Sequence, residues 1–186
     1  MAFDLSWLRL ILCNISGSAC SNDKCVKTCD RGWEKNGDHC YLWGNEKKNW
    51  TAAEDFCREE GGHLATVNTN ATNEFVLEGL TRRNLLMIWI GGNDLEKEGV
   101  WKWTDCNPWE TEFWAPREPN NYNNNQDCLT LVLRSDGHPQ LNRQWDDWQC
   151  IKEMEFLCSK KICSGNNING KNICCIWNCL SINLKL

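Results

Sequence analysis

Residues 85–92 read Leu85-Leu-Met-Ile-Trp-Ile-Gly-Gly92, a continuous apolar run that is followed by two glycines. A short run without polar residues at alternate positions is typical of a strand that is buried on both faces. Glycine pairs commonly mark the end of such an element. The sequence therefore predicts a buried strand that ends at Gly91-Gly92.

Two helices are predicted on the amino-terminal side of this strand. The first spans residues 50–60, with Ala53, Phe56 and Cys57 at helical spacing and with glycines directly after it. A short strand at 63–67 follows. The second helix is expected to begin with Asn70 as its N-cap. Its apolar side would consist of Phe75, Val76, Leu77 and Leu80.

The remaining elements are short strands and one long loop. Cys29 and Cys40 enclose ten residues that include turn formers, which is typical of a small disulfide-closed hairpin. Further strands are predicted at 101–103, 128–133 and 154–158, and a loop runs from Thr104 to Gln126.

Composition narrows the class of protein. The 186 residues carry a net charge of −5, which argues against binding of nucleic acid, and no apolar run is long enough to span a membrane. There are 14 cysteines but only three histidines, and no C-x2-C pairs occur. This pattern favours a disulfide framework in a secreted, extracellular protein over a metal cluster.

Other features of the sequence give weaker support for secretion. Sequons for N-glycosylation begin at Asn14, Asn49 and Asn70. The segment 1–28 bears cysteines and an apolar stretch, but Asp4 and Arg9 interrupt that stretch. A signal peptide and a divergent or truncated leader are therefore both alternatives for this segment.

Oxygen-bearing side chains gather in and after the long loop, and they are the candidate metal ligands. They are Glu118, Asn120, Gln126, Asp146 and Asp147. A bridge between Cys128 and Cys150 would bring the two parts of this set to one end of the fold. Carboxylate and amide oxygens in this number suit Ca²⁺, which accepts 6–8 oxygens, whereas zinc calls for histidine or thiolate.

At this point the sequence resembles the C-type lectin-like domain family over residues 29–158. The resemblance is carried by Trp89-Ile-Gly91, Glu118-Pro-Asn120 and Trp145-Asp-Asp147. It implies an α+β fold with two helices, small antiparallel sheets and a long calcium-binding loop, flanked by the segments 1–28 and 159–186. It also implies a cis bond before Pro119. The implied disulfides are Cys29–Cys40, Cys57–Cys158 and Cys128–Cys150.

The family resemblance implies a calcium-dependent lectin in which two neighbouring sugar hydroxyls complete the shell of the ion. The tripeptide at 118–120 resembles the mannose type, but Gln126 and Asp146 replace a usual glutamate and a usual asparagine. This reversal of donor and acceptor predicts some tolerance for galactose, on which Tyr122 or Trp148 would stack. An auxiliary calcium would be held by Asp94, Glu98, Asn121 and Asp127.

Alternative interpretations remain at this stage. A lectin-like protein that binds a protein, lipid or mineral ligand without calcium is one of them. Trp101, Trp103, Trp114 and Trp145 are expected in the core rather than in a sugar platform. His39, His63 and His138 form no catalytic pattern, so we expect a binding protein of glycans or glycoproteins and not an enzyme. The cysteines outside the three pairs would allow a disulfide-linked oligomer; they are Cys13, Cys20, Cys25, Cys106, Cys163, Cys174, Cys175 and Cys179.

Overall fold

The computed structural model describes residues 28–133 and 143–162. The helices are α1 (Trp50–Glu59) and α2 (Asn70–Arg83). The strands are β1 (Glu34–Asn36), β2 (His39–Trp43), β3 (His63–Leu64), β4 (Met87–Asn93), β5 (Lys102–Trp103), β6 (Cys128–Val132), β7 (Gln144–Trp148) and β8 (Leu157–Lys161). The chain thus has the expected α+β architecture.

The strands form two antiparallel sheets of four strands each. The first has the order β1-β2-β8-β3 and the second has the order β5-β4-β6-β7. In the second sheet Cys128 pairs with Asn93 on one side and with Trp148 on the other. This register places the end of β4, the start of β6 and the end of β7 side by side.

Both helices begin at a side-chain cap. Asn49 caps α1, where its Oδ1 accepts a hydrogen bond from the Ala52 N–H at 2.9 Å. Thr69 caps α2 by accepting from the Thr72 N–H at 3.1 Å. The prediction of Asn70 as this N-cap is therefore wrong by one residue, because the neighbouring threonine hydroxyl reaches the free N–H group instead.

The central strand continues through the glycines that were expected to end it. Gly91 lies within β4, and a Cβ at this position would come within 2.5 Å of the Leu64 carbonyl oxygen. The glycine is there because β3 approaches β4 closely at this point. Side chains of β4, including the fully buried Trp89, pack into the core on both faces of the sheet.

Three further differences from the sequence prediction concern strands. The last strand spans Leu157–Lys161 and not the predicted 154–158. The strand β7 was not expected, although it carries Trp145-Asp-Asp147. The strand expected at 63–67 is limited to His63–Leu64.

Three disulfides join Cys29 to Cys40, Cys57 to Cys158 and Cys128 to Cys150. These are the pairs that the family resemblance implies. Cys106 is disulfide-bonded as well. The other cysteines considered for cross-linking lie outside the described residues, as do the segment 1–27, His138 and the tail from residue 163. No helix within the described ranges is long and apolar enough to cross a membrane.

Candidate functional site

Two groups of three carboxylates lie at one end of the second sheet. Asp94 directly follows β4, Asp127 directly precedes β6, and Asp146 and Asp147 lie on β7. The strand register brings these positions together, and the long loop adds Glu118 to them.

The first group consists of Glu118, Asp146 and Asp147. One oxygen from each side chain lies within 4.8 Å of the others. Asp146 and Asp147 are buried, and Glu118 is half-buried. Burial, followed by the negative charges of the two aspartates, raises the pKa of Glu118 to about 7, although an Asn120 hydrogen bond opposes this. The group is therefore a region of concentrated negative charge that a cation would relieve.

Asp147 also holds the loop that carries Glu118. Its two carboxylate oxygens accept from the backbone N–H of Asn120 at 3.0 Å and of Asn121 at 2.7 Å. The Asn120 side-chain amide donates to Glu118, and the Glu118–Pro119 peptide bond is cis. The loop backbone is thus fixed directly to the buried strand β7.

Gln126 makes a hydrogen bond at each end of its amide, one to β7 and one within the loop. Its Nε2 donates to the Asp147 carbonyl oxygen at 2.6 Å, and its Oε1 accepts from the Tyr122 N–H at 2.7 Å. Its own backbone N–H donates to the Asn121 side chain at 3.0 Å. These contacts make Gln126 a brace between the loop and β7, a role that its residue type alone did not indicate.

Asp146 is held from two directions. The Thr130 hydroxyl, on the neighbouring strand β6, donates to the Asp146 carbonyl oxygen at 3.0 Å. The indole N–H of Trp148 donates to the Asp146 carboxylate. Trp148 was expected to stack on a sugar, and this hydrogen bond to a candidate ligand was missed because it depends on the strand β7.

The second group consists of Asp94, Glu98 and Asp127, again with one oxygen from each within 4.8 Å of the others. Asp94 is only 2% exposed. Its Oδ2 accepts from the Gly99 N–H at 2.8 Å, but its buried Oδ1 has no hydrogen-bond partner among the described residues. Burial, with the charges of Glu98 and Asp127 in addition, raises the pKa of Asp94.

Asn121 connects the two groups. Its side-chain amide donates to Glu98 of the second group, while its backbone N–H donates to Asp147 of the first. Asn121 adopts a left-handed backbone conformation with φ of 41°, which asparagine tolerates better than most residues. Asn121 thus contacts a carboxylate of each group.

The aromatic residues near the site divide into two kinds. Tyr122, in the 3-10 turn Tyr122–Asn124, is 66% exposed, and its backbone N–H donates to Gln126. Trp103 and Trp145 are buried, and Trp101 and Trp114 are half-buried and packed against the same cluster. The expectation that these four tryptophans belong to the core is confirmed.

All donor atoms in the two groups are oxygens, and neither group contains histidine or cysteine. Such a set fits a hard cation like Ca²⁺. A bound cation would offset the burial of the unpartnered Asp94 Oδ1 and the charge of the crowded carboxylates in the first group. The residues therefore fit calcium in both groups.

Comparison with known proteins identifies similarity to C-type lectins. The profile of the family described as "Lectin C-type domain" matches residues 46–160. The human protein "C-type lectin domain family 17, member A" is 34% identical over 134 residues, which are 72% of this chain. The chain spans only 32% of the length of that protein.

Two further relatives carry names that state a sugar. The "C-type lectin mannose-binding isoform" of Oxyuranus scutellatus is 33% identical over 158 residues, which are 82% of this chain and 96% of that protein. The "Galactose-specific lectin nattectin" of Thalassophryne nattereri is 26% identical over 158 residues, 82% of this chain and 92% of that protein.

Solved structures agree on the fold. The mouse scavenger receptor C-type lectin carbohydrate-recognition domain has a TM-score of 0.63 at 28% identity, covering 72% of this chain and 96% of that one. A calcium-independent type II antifreeze protein also has a TM-score of 0.63, at 26% identity and with 72% and 95% coverage.

Proposed function

The chain belongs to the C-type lectin family, and from this premise we propose that it is a calcium-dependent carbohydrate-binding protein. The observation that carries the proposal is the convergence of Glu118, Asp146 and Asp147 beside a loop fixed by hydrogen bonds. Loops held on a rigid sheet are a common location for binding residues. The proposed activity is recognition, with no bond broken.

The residues have distinct proposed roles. When bound, calcium supplies coordination positions that two neighbouring sugar hydroxyls can complete. Glu118 and Asp146 would accept hydrogen bonds from these hydroxyls, and the Asn120 amide would donate one. Asp147 holds the loop backbone in place. The exposed Tyr122 ring offers a surface on which the apolar face of a sugar would stack.

We propose a mixed sugar preference, with mannose-type binding and tolerance for galactose. The Glu118-Pro-Asn120 motif supports the first part. Gln126 and Asp146 support the second, since they reverse the usual order of acceptor and donor at the other hydroxyl. Relatives named for mannose and for galactose are both similar to this chain.

A glycan array in the presence of calcium and then of EDTA tests this function. Binding should occur in calcium, disappear with the chelator and return when calcium is restored. The double exchange Gln126→Glu with Asp146→Asn should shift the preference toward mannose. The exchange Glu112→Gln, at an exposed acid outside both carboxylate groups, serves as the control and should leave the array pattern unchanged. Strict mannose binding by the unaltered protein would refute the galactose tolerance.

We propose a second ion in the group Asp94, Glu98 and Asp127, with Asn121 adjacent to it. The buried, unpartnered Oδ1 of Asp94 supports this site. Through Asn121 the ion would order the loop that bears Glu118. Calcium titration by calorimetry should then report two binding events per chain.

A calcium-independent interaction protein is the second candidate function. It is favoured by the similarity to an antifreeze protein whose name states calcium independence. The two candidates differ in thermal stability, because a ligand that binds only the folded state must stabilise it. A melting temperature that does not respond to millimolar calcium would support this second candidate.

We also propose that the protein is secreted and glycosylated and that disulfides link its chains into oligomers. The cysteine content supports secretion, and weak single sites would benefit from several copies. Cys106 is already disulfide-bonded, so cross-links would involve the cysteines of the terminal segments. Migration as a monomer only, in electrophoresis without reducing agent, would contradict the oligomer.

A further inference from the structure

The hydrogen bond between Trp148 and Asp146 is a consequence of their places on β7. The two residues are separated by one position, so their side chains lie on the same face of the strand. Trp148 pairs with Cys128 and Asp146 pairs with Thr130, so both positions are fixed in the sheet. The Trp148 indole N–H donates to Oδ2 of the Asp146 carboxylate.

This contact restricts how the Asp146 carboxylate can turn. A carboxylate on a short side chain can rotate and present either oxygen, but an indole N–H is a directional donor with a single hydrogen. A hydrogen bond to a charged acceptor is also stronger than one between neutral groups. With Oδ2 held by Trp148, the orientation of the carboxylate toward Glu118 and Asp147 is set in advance.

Two neighbouring residues, Thr130 and Gln126, make their hydrogen bonds elsewhere. Thr130 donates to the backbone carbonyl of Asp146 and not to its carboxylate. The Gln126 amide is engaged with Tyr122 and with the Asp147 carbonyl. The Trp148 indole N–H, in contrast, donates to the Asp146 side chain itself.

We propose that Trp148 is a positioning residue of the sugar site, which acts through its indole N–H on Asp146 and not by stacking on the sugar. The proposal rests on the proposed function and adds a residue to it. Because the orientation of Asp146 is fixed before the ligand arrives, less conformational freedom is lost on binding. Loss of the N–H should therefore weaken the binding of sugars at saturating calcium.

The exchange Trp148→Phe removes the N–H and keeps an aromatic ring. Taking the low end for a hydrogen bond to a charged group, we expect sugar affinity to fall by about tenfold or more. Trp109→Phe is the matched control, since Trp109 Nε1 also donates to a carboxylate, Glu112, at 2.6 Å. Neither Trp109 nor Glu112 belongs to the acidic groups, so the control should bind as the unaltered protein does.

A second measurement needs neither calcium nor sugar. Urea unfolding in EDTA is compared for the unaltered protein, Trp148→Phe, Asp146→Ala and the double variant. We expect Trp148→Phe to raise the unfolding equilibrium constant by about tenfold when Asp146 is present, and by less than about twofold when Asp146 is replaced by alanine. A purely structural role of the ring would give equal effects in the two backgrounds.

The outcomes separate this inference from the proposed function. If the unaltered protein binds sugar in calcium and Trp148→Phe binds equally well, the inference is overturned and the proposed function stands. Equal effects in the two EDTA backgrounds would also overturn it. If the unaltered protein binds no sugar, the proposed function fails, and the positioning role in sugar binding fails with it.

Discussion

Replacing Asp94 by asparagine should change the stability of the protein in opposite directions with and without calcium. Asp94 is buried, one of its oxygens has no hydrogen-bond partner among the described residues, and two further carboxylates lie beside it. In EDTA this arrangement destabilises the folded state. Asparagine has almost the same shape and no charge, and it keeps an oxygen for the Gly99 N–H.

The size of the effect follows from the cost of an unpartnered buried group, which is about 1–3 kcal/mol. Asparagine would place an N–H donor toward Glu98 and Asp127 and recover part of this cost. We expect Asp94→Asn to stabilise the protein in EDTA by about 1–2 kcal/mol, or by about 3–6 °C in melting temperature. Since the pKa of Asp94 is raised, its charge destabilises most at neutral pH. The advantage of asparagine should shrink as the pH falls through the raised pKa.

Calcium should reverse the order of stability, so that the unaltered protein becomes more stable than Asp94→Asn. At 100 times the dissociation constant, one site stabilises the fold by about 2.7 kcal/mol, which exceeds the advantage of about 1–2 kcal/mol expected for asparagine in EDTA. The unaltered protein gains this from the second group, and Asp94→Asn does not. Calorimetric melting in EDTA and in calcium checks the prediction, with Glu96→Gln, an exposed acid in the same turn, as control. Lower stability of Asp94→Asn in EDTA would refute the reasoning.

Three further predictions concern other positions. Because the pKa of Glu118 is raised to about 7 and calcium favours the charged form, the calcium-induced rise in melting temperature should be larger at pH 8 than at pH 6; equal rises would contradict this. A Cβ at Gly79 would lie 2.1 Å from the Trp43 ring, so Gly79→Ala should cost about 1–3 kcal/mol in urea unfolding, and an unchanged midpoint would refute the tight contact. We expect secreted protein to carry a glycan on the exposed Asn70 and none on Asn49, whose side chain caps α1. Asn70→Gln should therefore increase electrophoretic mobility, and a similar shift with Asn49→Gln would disprove the distinction.

The first acidic group was predictable because several carboxylate and amide side chains gather in and after one loop, and the second was implied by the family resemblance. Glu118 and Asp147 are 29 positions apart in the sequence, and only a fold can bring them together. The resemblance to a known family supplied that fold. The cysteines added strong constraints, since each pair joins two places in the chain.

The strand β7 was not predictable in the same way. Its inner residues Trp145, Asp146 and Asp147 are all buried, so the usual alternation of apolar and polar residues is absent. Buried carboxylates in a strand are unfavourable by themselves, and such sequences are read as loops. In β7 the two aspartates are buried at the acidic site, although the local sequence pattern does not predict a strand.

Contacts between side chains were the other feature that the sequence did not indicate. Gln126 and Trp148 were assigned to an ion and to a sugar by residue type, yet each makes specific hydrogen bonds with the protein. Those contacts depend on the register of β6 and β7, which no local signal specifies. Likewise Gly91 lies inside a strand because Leu64 approaches it in space.

The tryptophan cluster gives the protein a built-in optical probe. Around Trp145 lie the rings of Trp103, Trp109 and Trp114, with centroids 5.5–5.6 Å from it. Indoles at such separations exchange excitation energy and couple their electronic transitions, so their emission and near-ultraviolet dichroism act as one signal. Trp145 directly precedes Asp146 in β7. Occupation of the first acidic group should therefore be visible in the light that the unlabelled protein emits.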